Sequence, residues 1–311
     1  MSAKNTAGII IATGYDSLGR QMNPLTPLGT TTIVKRIVLT YQLAGISPII
    51  VITGFDGLSV ERHLANYGVV FFRVENYSEI DFKTDILPAL TYAAEKCSQI
   101  MVSPVEYPLF WTSTIKKIIQ NDGQIRVPIN DERLGYPFLL SADVLPELDT
   151  EKKFEGWMSF LNECGLDIRL IPVSDEGVAC SIENIDHCNN ILEQHNRQML
   201  HPYVRLDIDY VTRIFDPKMK MLLMQIEDTK SVKTACSRIS LSIGKAWEII
   251  NVLEDALGYQ VVSRRQGGKK GGSTELTAEG EEYLEKYRLL EKKIQNYANE
   301  EFTKIFLTDV E

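Results

Sequence analysis

Residues 8–14, Gly-Ile-Ile-Ile-Ala-Thr-Gly, form an apolar run that ends in a threonine and a glycine. Such a run, bounded by a turn residue, predicts a strand that is buried on both faces of a sheet. Residues 32–43 then carry apolar side chains at helical spacing, and residues 48–53 are a second β-rich run before Gly54. Together the three segments predict a βαβ unit, in which the two strands are parallel.

The same alternation continues along the chain as a helix over 60–67, a strand over 69–74, a helix over 85–96 and a strand over 99–103. We therefore predict an α/β domain over residues 1–195 with a mostly parallel, Rossmann-like sheet. Ligands of such sheets bind beyond the carboxyl ends of the strands. A polar stretch that ends in His201-Pro202 predicts a linker over 196–202 and a second domain over 203–311.

The second domain has a different, mainly helical pattern. We predict an edge strand over 203–209, helices over 217–229, 231–239 and 243–257, strands over 259–264 and 273–276, and a long helix from Thr277. This order is typical of a winged helix-turn-helix domain, in which the second helix of the pair enters the major groove of DNA. The helix over 243–257 is the predicted recognition helix.

Charge is distributed unevenly along the 311 residues, whose formal net charge is −9. Residues 230–270 contain eight lysines and arginines against three acidic residues, a local net charge of +5. A basic cluster in an acidic chain predicts a surface for phosphate groups. We expect double-stranded DNA to be bound by Lys233, Arg238, Ser242, Lys245, Arg264, Arg265, Lys269 and Lys270.

Other features limit the class of protein. No apolar run approaches the roughly 18 residues that a membrane span requires, and the first residues lack the pattern of a secretory signal. We therefore expect a cytoplasmic protein without a membrane partner. The five cysteines form no Cys-x-x-Cys pair, and we expect them to be reduced.

The C-terminal third contains His201-Pro202, Leu241-Ser242, Lys245-Ala246-Trp247, Leu257-Gly258-Tyr259, the glycine pairs at 267–268 and 271–272, Leu276-Thr277 and Gly280. In this pattern it resembles the winged-helix domain of the ModE family of molybdate-responsive regulators. The resemblance implies a homodimer that binds palindromic operators. In that family a molybdate-sensing domain follows this module, whereas here the module lies at the end of the chain, so we expect a signal other than molybdate.

Two features of this domain have alternative interpretations. The Gly-Gly-Lys-Lys-Gly-Gly loop at 267–272 is either a solvated tip or a wing that holds phosphates, and its context favours the wing. Tyr283, Tyr287, Leu290, Ile294 and Tyr297 have the spacing of a short coiled-coil seam. Only about two heptads are present, so this seam either packs on its own domain or joins two copies of the chain.

The N-terminal part contains Ala12-Thr13-Gly14, Pro27-Leu28-Gly29, the run 50–54, the run 104–110, Gly135-Tyr136-Pro137 and the run 177–188. In this pattern it resembles the MobA/MocA-like nucleotidyltransferase family over about 190 residues. The resemblance implies transfer of a nucleotide from a triphosphate to a phosphorylated acceptor such as molybdopterin, with Mg²⁺ held by two carboxylates. It assigns nucleotide binding to Ala12, Thr13, Gly14 and Gly54, and metal binding to Glu106 and Glu183.

Several charged positions of that family's pattern are changed in this chain. Leu18 stands at the position of an arginine and Asn23 at that of a lysine, although Arg20 is a possible substitute two residues away. Glu106 replaces an aspartate, Ser181-Ile182-Glu183 replaces an Asp-x-Asp motif, and Tyr136 replaces a histidine. Each lost group of this kind typically contributes about 2–4 kcal/mol to catalysis.

Three interpretations of the first domain follow from these changes. It is a degenerate ligand sensor for a nucleotide or a molybdopterin-type ligand, an active molybdopterin cytidylyl- or guanylyltransferase, or a scaffold that binds nothing. A sensor fused to a DNA-binding module predicts a transcription regulator linked to molybdenum metabolism. In the enzyme alternative, Arg20 and Asn23 are the catalytic candidates.

Overall fold

The computed structural model describes residues 5–15, 20–77, 80–148, 156–163, 165–183, 189–265 and 273–306. Lys269 and Lys270 of the predicted DNA surface lie outside these residues, as does Leu18. The chain divides into two compact units, Met1–Leu200 and His201–Glu311.

The first unit is built on a sheet that has eight strands in the described part of the chain. The strands are β1 (Thr6–Ala12), β4 (Ile49–Thr53), β5 (Val69–Arg73), β6 (Gln99–Pro104), β7 (Ile125–Asn130), β8 (Arg133–Leu134), β9 (Phe138–Ser141) and β10 (Ile168–Pro172), and the short β2 (Pro27–Leu28) and β3 (Thr31–Thr32) form a separate hairpin. The order in the sheet is β10-β7-β9-β6-β1-β4-β5, with β8 paired to β7. β9 is antiparallel to both of its neighbours, whereas β6, β1, β4 and β5 are parallel. The predicted α/β class with a mostly parallel sheet is confirmed.

The helices of this unit follow the strands. They are α1 (Ile33–Leu43), α2 (Gly57–Leu64), α3 (Leu87–Ala94, entered through a π-helical turn at Phe82–Ile86), α4 (Thr112–Gln120), α5 (Trp157–Glu163) and α6 (Asn189–Gln198). All seven residues of β1 are buried because the strand lies between two parallel neighbours in the middle of the sheet. Thr32 caps α1 by accepting a hydrogen bond from the backbone N–H of Lys35.

Helix α6 is held to the body of the first unit by polar side chains. Arg36 of α1 is buried and donates to Nδ1 of His195 at 3.1 Å, to Oδ1 of Asn196 at 2.8 Å and to the carbonyl of Leu28 at 2.7 Å. Gln198 accepts a hydrogen bond of 2.7 Å from the backbone N–H of Thr112. These contacts place residues 189–198 in the first unit.

The second unit contains a ribbon, a three-helix core, a hairpin and a long helix. These elements are β11 (Ile208–Asp209), β12 (Arg213–Phe215), α7 (Pro217–Thr229), α8 (Val232–Arg238), α9 (Ile243–Leu257), β13 (Val262–Arg265), β14 (Ser273–Leu276) and α10 (Ala278–Phe306). Side chains from all three core helices meet the hairpin and α10 in one cluster that includes Leu222, Ile226, Ala246, Ile250 and Leu253. Burial of each large apolar side chain contributes about 1.5–3 kcal/mol to folding.

Local signals fix several element boundaries in this unit. Asp216 caps α7 and Ser242 caps α9 through their side-chain oxygens, and Gly258 ends α9 in the left-handed region with φ of 76°. The predicted helices over 217–229 and 243–257 therefore have the predicted bounds. The edge strand predicted over 203–209 is wrong for most of its length, because within the described residues only Ile208–Asp209 pairs with a partner strand.

Two further expectations concern cysteines and membranes. Cys97 and Cys236 are free and buried, whereas Cys180 is disulfide-bonded, which corrects the expectation of reduced thiols at that position. Within the ranges given above, no helix is long and apolar enough to cross a membrane.

Candidate ligand site and nucleic-acid interface

The carboxyl ends of β4, β1 and β6 bring the predicted nucleotide-binding residues together. Beyond the strands, the backbone N–H of Val105 donates to the carbonyl of Ile11 at 3.0 Å, and that of Phe55 donates to the carbonyl of Thr13 at 2.8 Å. The loop after β1 therefore lies between the loop that contains Gly54 and the loop that contains Glu106. This is the place where open α/β sheets bind ligands.

Glycines allow the loops after β1 and β4 to approach each other closely. Gly14 has φ of +90°, and a Cβ atom there would lie 2.7 Å from the Cβ of Phe55. A Cβ atom on Gly54 would lie 2.5 Å from the carbonyl oxygen of Thr13 and 2.7 Å from the Cβ of Tyr77. Both positions require glycine because the neighbouring atoms are backbone or Cβ atoms that cannot rotate away.

An aromatic cluster that the sequence analysis missed lies beside these glycines. The rings of Tyr15 and Tyr77 stack with their centroids 6.2 Å apart, and Phe55 meets Tyr77 edge-on at 5.6 Å. Next to them, Thr13 is fully buried and its hydroxyl has no hydrogen-bond partner within the described residues. The available signal was an aromatic residue directly after each glycine, as Gly14-Tyr15 and Gly54-Phe55.

Glu106 is buried at the end of β6, with only 3% of its surface exposed. Burial raises the pKa of Tyr136 well above its ordinary value, and the charges of Glu106 and Tyr107 raise it further. The rings of Tyr107 and Tyr136 lie 4.6 Å apart. Tyr136 therefore stays protonated beside the carboxylate, where its hydroxyl cannot supply a second negative ligand.

Glu183 reaches the same end of the sheet but forms an ion pair with Arg20. The backbone N–H of Ile182 donates to the carbonyl of Glu106 at 2.9 Å. Glu183 therefore directly follows a residue that is hydrogen-bonded to Glu106. The guanidinium of Arg20 is in direct contact with the Glu183 carboxylate. Four residues were predicted to bind metal or take part in catalysis. Three of them, Arg20, Glu106 and Glu183, therefore lie on segments that contact one another.

The fourth residue, Asn23, has a local structural role. Its side-chain oxygen accepts from the backbone N–H of Leu25 at 2.8 Å, and its carbonyl accepts from the backbone N–H of Thr26 at 2.9 Å. These hydrogen bonds stabilise the turn before β2. The amide oxygen is thus used within the turn, and an asparagine cannot replace the positive charge of a lysine.

The side chains as they stand do not fit a two-carboxylate metal site. Magnesium sites use carboxylate and phosphate oxygens with several waters. Here one of the two candidate carboxylates is in contact with a guanidinium. No group of three or more potential protein ligands for a metal occurs in the part of the chain that the structure describes.

In the second unit, α8 and α9 present the predicted DNA-binding residues. A four-residue turn joins the helices, with Ser240 at φ of 52°. Ser242, Ile243, Gly244 and Lys245 are all exposed at the beginning of α9, while Ala246, Ile250 and Leu253 face the core. The first turn of a helix carries unsatisfied N–H groups and a partial positive charge, which favour contact with phosphate.

Lys245 forms an exposed ion pair one turn along the helix. Its Nζ atom lies 2.7 Å from Oε1 of Glu248, and both side chains are more than half exposed. An exposed pair of this kind contributes about 0–1 kcal/mol and is easily exchanged for another partner. Lys245 remains accessible to DNA, although its charge is partly compensated in the free protein.

The hairpin is anchored to α9 by two side chains. Oε1 of Glu254 accepts hydrogen bonds from the backbone N–H groups of Val261 and Val262 at 2.8 and 3.1 Å. The guanidinium carbon of Arg264 lies 3.7 Å from the centroid of the Trp247 ring. Neither contact was predicted from the sequence.

Three further predicted DNA-binding residues lie within the described ranges. Lys233 is exposed on α8, and Arg238 is half-buried at the end of that helix. Arg265 is the last residue of β13.

The predicted seam on α10 divides into two parts. Tyr287 is buried against Phe215 of its own unit, with the rings 4.5 Å apart, and Tyr283 contacts the same ring at 5.2 Å. Leu290 and Tyr297 are 43% and 66% exposed. Packing on the unit therefore accounts for the start of the helix, and an apolar face remains exposed further along it.

Comparisons with known proteins match the two parts of the chain separately. Residues 8–167 match the family described as MobA-like NTP transferase domain. The C-terminal region from about residue 200 is 34% identical over 91 residues to the molybdenum transport protein ModE of Azotobacter vinelandii (29% of this chain, 33% of that protein), and 34% identical over 77 residues to the transcriptional regulator ModE of Haemophilus influenzae (25% and 30%). The chain thus spans about a third of the length of these relatives.

Solved structures support the fold of the first unit. The crystal structure of Rv0371c from Mycobacterium tuberculosis superposes with a TM-score of 0.51 at 21% identity, covering 62% of this chain and 100% of that one. At this identity the likeness establishes a shared fold and nothing about activity.

Proposed function

We propose that this chain, which belongs to the MobA-like NTP transferase family through residues 8–167, is a DNA-binding transcription regulator linked to molybdenum metabolism. Residues 203–311 are its winged-helix and dimerisation domain, and residues 1–195 are its ligand sensor. In this proposal the protein acts as a homodimer in the cytoplasm and binds a palindromic operator.

The exposed beginning of α9 is the observation that carries this proposal. Ser242 and Lys245 extend from the first turn of a helix whose opposite face is packed in the core. Two-fold symmetric dimers place such helices in successive major grooves. The 34% identity to two regulators named ModE over this same region supports the assignment.

Selection from a random library of 40-base-pair duplexes tests DNA binding by the full chain. We expect enrichment of an inverted repeat, and we expect Lys245→Ala to weaken binding to the selected site about tenfold, with altered sequence preference. Lys304→Ala is the matched control, because Lys304 also forms an exposed pair with a glutamate three residues away on a helix. No enrichment over the random pool would disprove the proposal.

The sensor role requires that a ligand change the affinity for DNA. A ligand shifts an equilibrium only by its differential affinity for the two states of the protein. The glycine turns bring the loops after β1 and β4 together, and the Tyr15–Phe55–Tyr77 cluster offers aromatic surface for a nucleobase or pterin ring. CTP, GTP and molybdopterin, added separately, are the probes, and at least one should change the DNA dissociation constant fivefold or more.

A second function, nucleotidyl transfer, is favoured by the close approach of Gly14 and Gly54 and by the position of Glu106. Incubation of the chain with labelled CTP or GTP, magnesium and molybdopterin tests this alternative. Release of pyrophosphate at a rate that depends on Glu106 would establish the enzyme and displace the sensor interpretation.

A further inference from the structure

The contact between Arg20 and Glu183 joins two segments at the ligand end of the sheet. Arg20 lies in the loop after β1, eight residues beyond Ala12, and Glu183 follows the residue whose N–H is bonded to the carbonyl of Glu106. The guanidinium is therefore held among the segments that carry the two carboxylates. About half of the Arg20 side chain and 39% of the Glu183 side chain are exposed, so the pair lines an open part of the site.

A guanidinium and a divalent cation compete for the same carboxylate. Both favour oxygen anions, and an arginine side chain stays protonated at any physiological pH. Because Arg20 is part of the chain, it is present at a high effective concentration without being recruited from solution. A metal ion at Glu183 must first displace it.

Glu106 alone does not restore a metal site. It is almost completely buried, with 3% of its surface exposed. A magnesium ion that dehydrates reluctantly needs more than one anionic ligand to be retained at millimolar concentration. With Glu183 paired to Arg20, the nearby anionic charge available for a divalent ion is reduced from two carboxylates to one.

We propose that Arg20 is a built-in cation that takes the place of the divalent metal ion beside Glu106 and Glu183, so that this ligand site works without a metal. The proposal deepens the proposed function, because it concerns the ligand site of the sensor domain. It explains how the fold of a transferase can keep a binding site while the metal-dependent neutralisation of a triphosphate is suppressed.

Binding of Mn²⁺ alone to the full chain, measured by the electron paramagnetic resonance signal of the free ion, tests this proposal without DNA or nucleotide. The variants are Arg20→Ala and Arg20→Gln, both at an exposed position where the fold should tolerate them. Arg197→Ala is the matched control, because Arg197 forms an exposed ion pair with Glu193 on α6. Arg20→Ala combined with Glu183→Gln removes the released carboxylate as well.

We expect both Arg20 variants to bind Mn²⁺ about threefold to fivefold more tightly than the unmodified chain, because a half-exposed ion pair with Glu183 contributes at most about 1 kcal/mol. The Arg197 control and the double variant should bind as the unmodified chain does. The proposal is overturned if the Arg20 variants bind Mn²⁺ no more tightly than the unmodified chain, or if the double variant keeps the gained affinity. Either result leaves DNA binding untouched, so failure here is distinguishable from failure of the proposed function.

Discussion

Arg264 of the hairpin lies over the indole ring of Trp247 on α9, with its guanidinium carbon 3.7 Å from the ring centroid. A cation over an aromatic face at this distance contributes about 0.5–1 kcal/mol at an exposed site. The contact connects the proposed recognition helix with the strand that leads into the Gly-Gly-Lys-Lys-Gly-Gly loop. Together with the hydrogen bonds of Glu254, it fixes the hairpin relative to the helix.

We predict that Trp247→Leu weakens DNA binding by fivefold to tenfold while the second unit stays folded. Leucine keeps an apolar side chain towards the core but removes the ring that orients Arg264. Fluorescence anisotropy with a selected duplex measures the affinity, and circular dichroism checks the helices. Arg264→Ala should have a similar effect, and combining the two substitutions should add little, because they remove one shared contact.

The loop lysines give a prediction that rests on the sequence alone. Lys269→Ala with Lys270→Ala should weaken binding to all DNA sequences to a similar extent, because phosphate contacts position the protein without reading bases. Loss of two phosphate contacts lowers the slope of log K against log salt by about 1.8. A titration from 50 to 300 mM salt measures this slope. An unchanged slope would show that the loop is a solvated tip and not a wing.

Much of the fold could be predicted because its signals are local. Asp216 and Pro217 mark the beginning of α7, and Ser242 and Gly258 mark both ends of α9, since caps act within one helical turn. The strand predicted at 203–209 failed for the opposite reason. Alternation of side chains describes a strand only where a partner strand is available, and here most of the segment has none within the described residues.

The site was less predictable because it depends on contacts between distant parts of the chain. The sequence identifies Arg20 as a possible substitute cation, but its partner Glu183 is 163 positions away. The sequence pattern of α1 is that of an ordinary amphipathic helix and does not predict a buried role for Arg36. In the structure Arg36 is buried against His195 and Asn196. Periodicity indicates which face of a helix is buried. It does not indicate which polar side chains from distant segments will pack against that face.

The exposed part of α10 gives a prediction about assembly. If the proposed homodimer forms through this face, Leu290→Asp combined with Tyr297→Asp should raise its dissociation constant at least tenfold, because charges would be placed on the exposed apolar face. Light scattering over a range of protein concentrations measures the mass. Tyr210→Asp is the control, since Tyr210 is 74% exposed on the β11–β12 turn. A dimer that survives both substitutions must use another surface.

The ion pair between Glu61 and Arg73 gives a prediction about stability. Glu61 is buried and accepts hydrogen bonds of 2.6–3.0 Å from Arg73, whose side chain is 47% exposed, and a further one of 3.1 Å from Thr53. Arg73→Ala leaves a buried carboxylate without its counter-ion. Breaking such pairs costs about 3–5 kcal/mol, and access of water at the arginine end reduces our expectation to about 2–3 kcal/mol.

Urea unfolding of the full chain measures this cost. Glu61→Gln added to Arg73→Ala should recover part of the lost stability, because the double variant no longer buries an unpaired charge. A double variant that is less stable than Arg73→Ala would mean that the ion pair contributes little beyond the hydrogen bond to Thr53.

His195 makes the stability of the first unit depend on pH. Burial and, to a smaller extent, the charge of Arg36 lower the pKa of its imidazole to about 3, although a hydrogen bond with the backbone of Phe110 acts in the opposite direction. Arg36 can only donate hydrogen bonds, so Nδ1 of His195 accepts and the ring is neutral in the folded chain. In the unfolded chain the pKa returns to about 6.5, and the unfolded state therefore binds more protons between pH 6.5 and pH 3.

The free energy of unfolding should consequently fall as the pH is lowered through this window, by up to about 1.4 kcal/mol per pH unit. Urea unfolding in a Trp247→Phe background reports on the first unit alone, because the remaining tryptophans, Trp111 and Trp157, belong to it. His195→Gln should be less stable than its parent at pH 7, and this deficit should shrink steadily towards pH 4. A deficit that stays constant over that range would show that folding does not change the pKa of His195. The hydrogen bond from Arg36 would then not require a neutral imidazole.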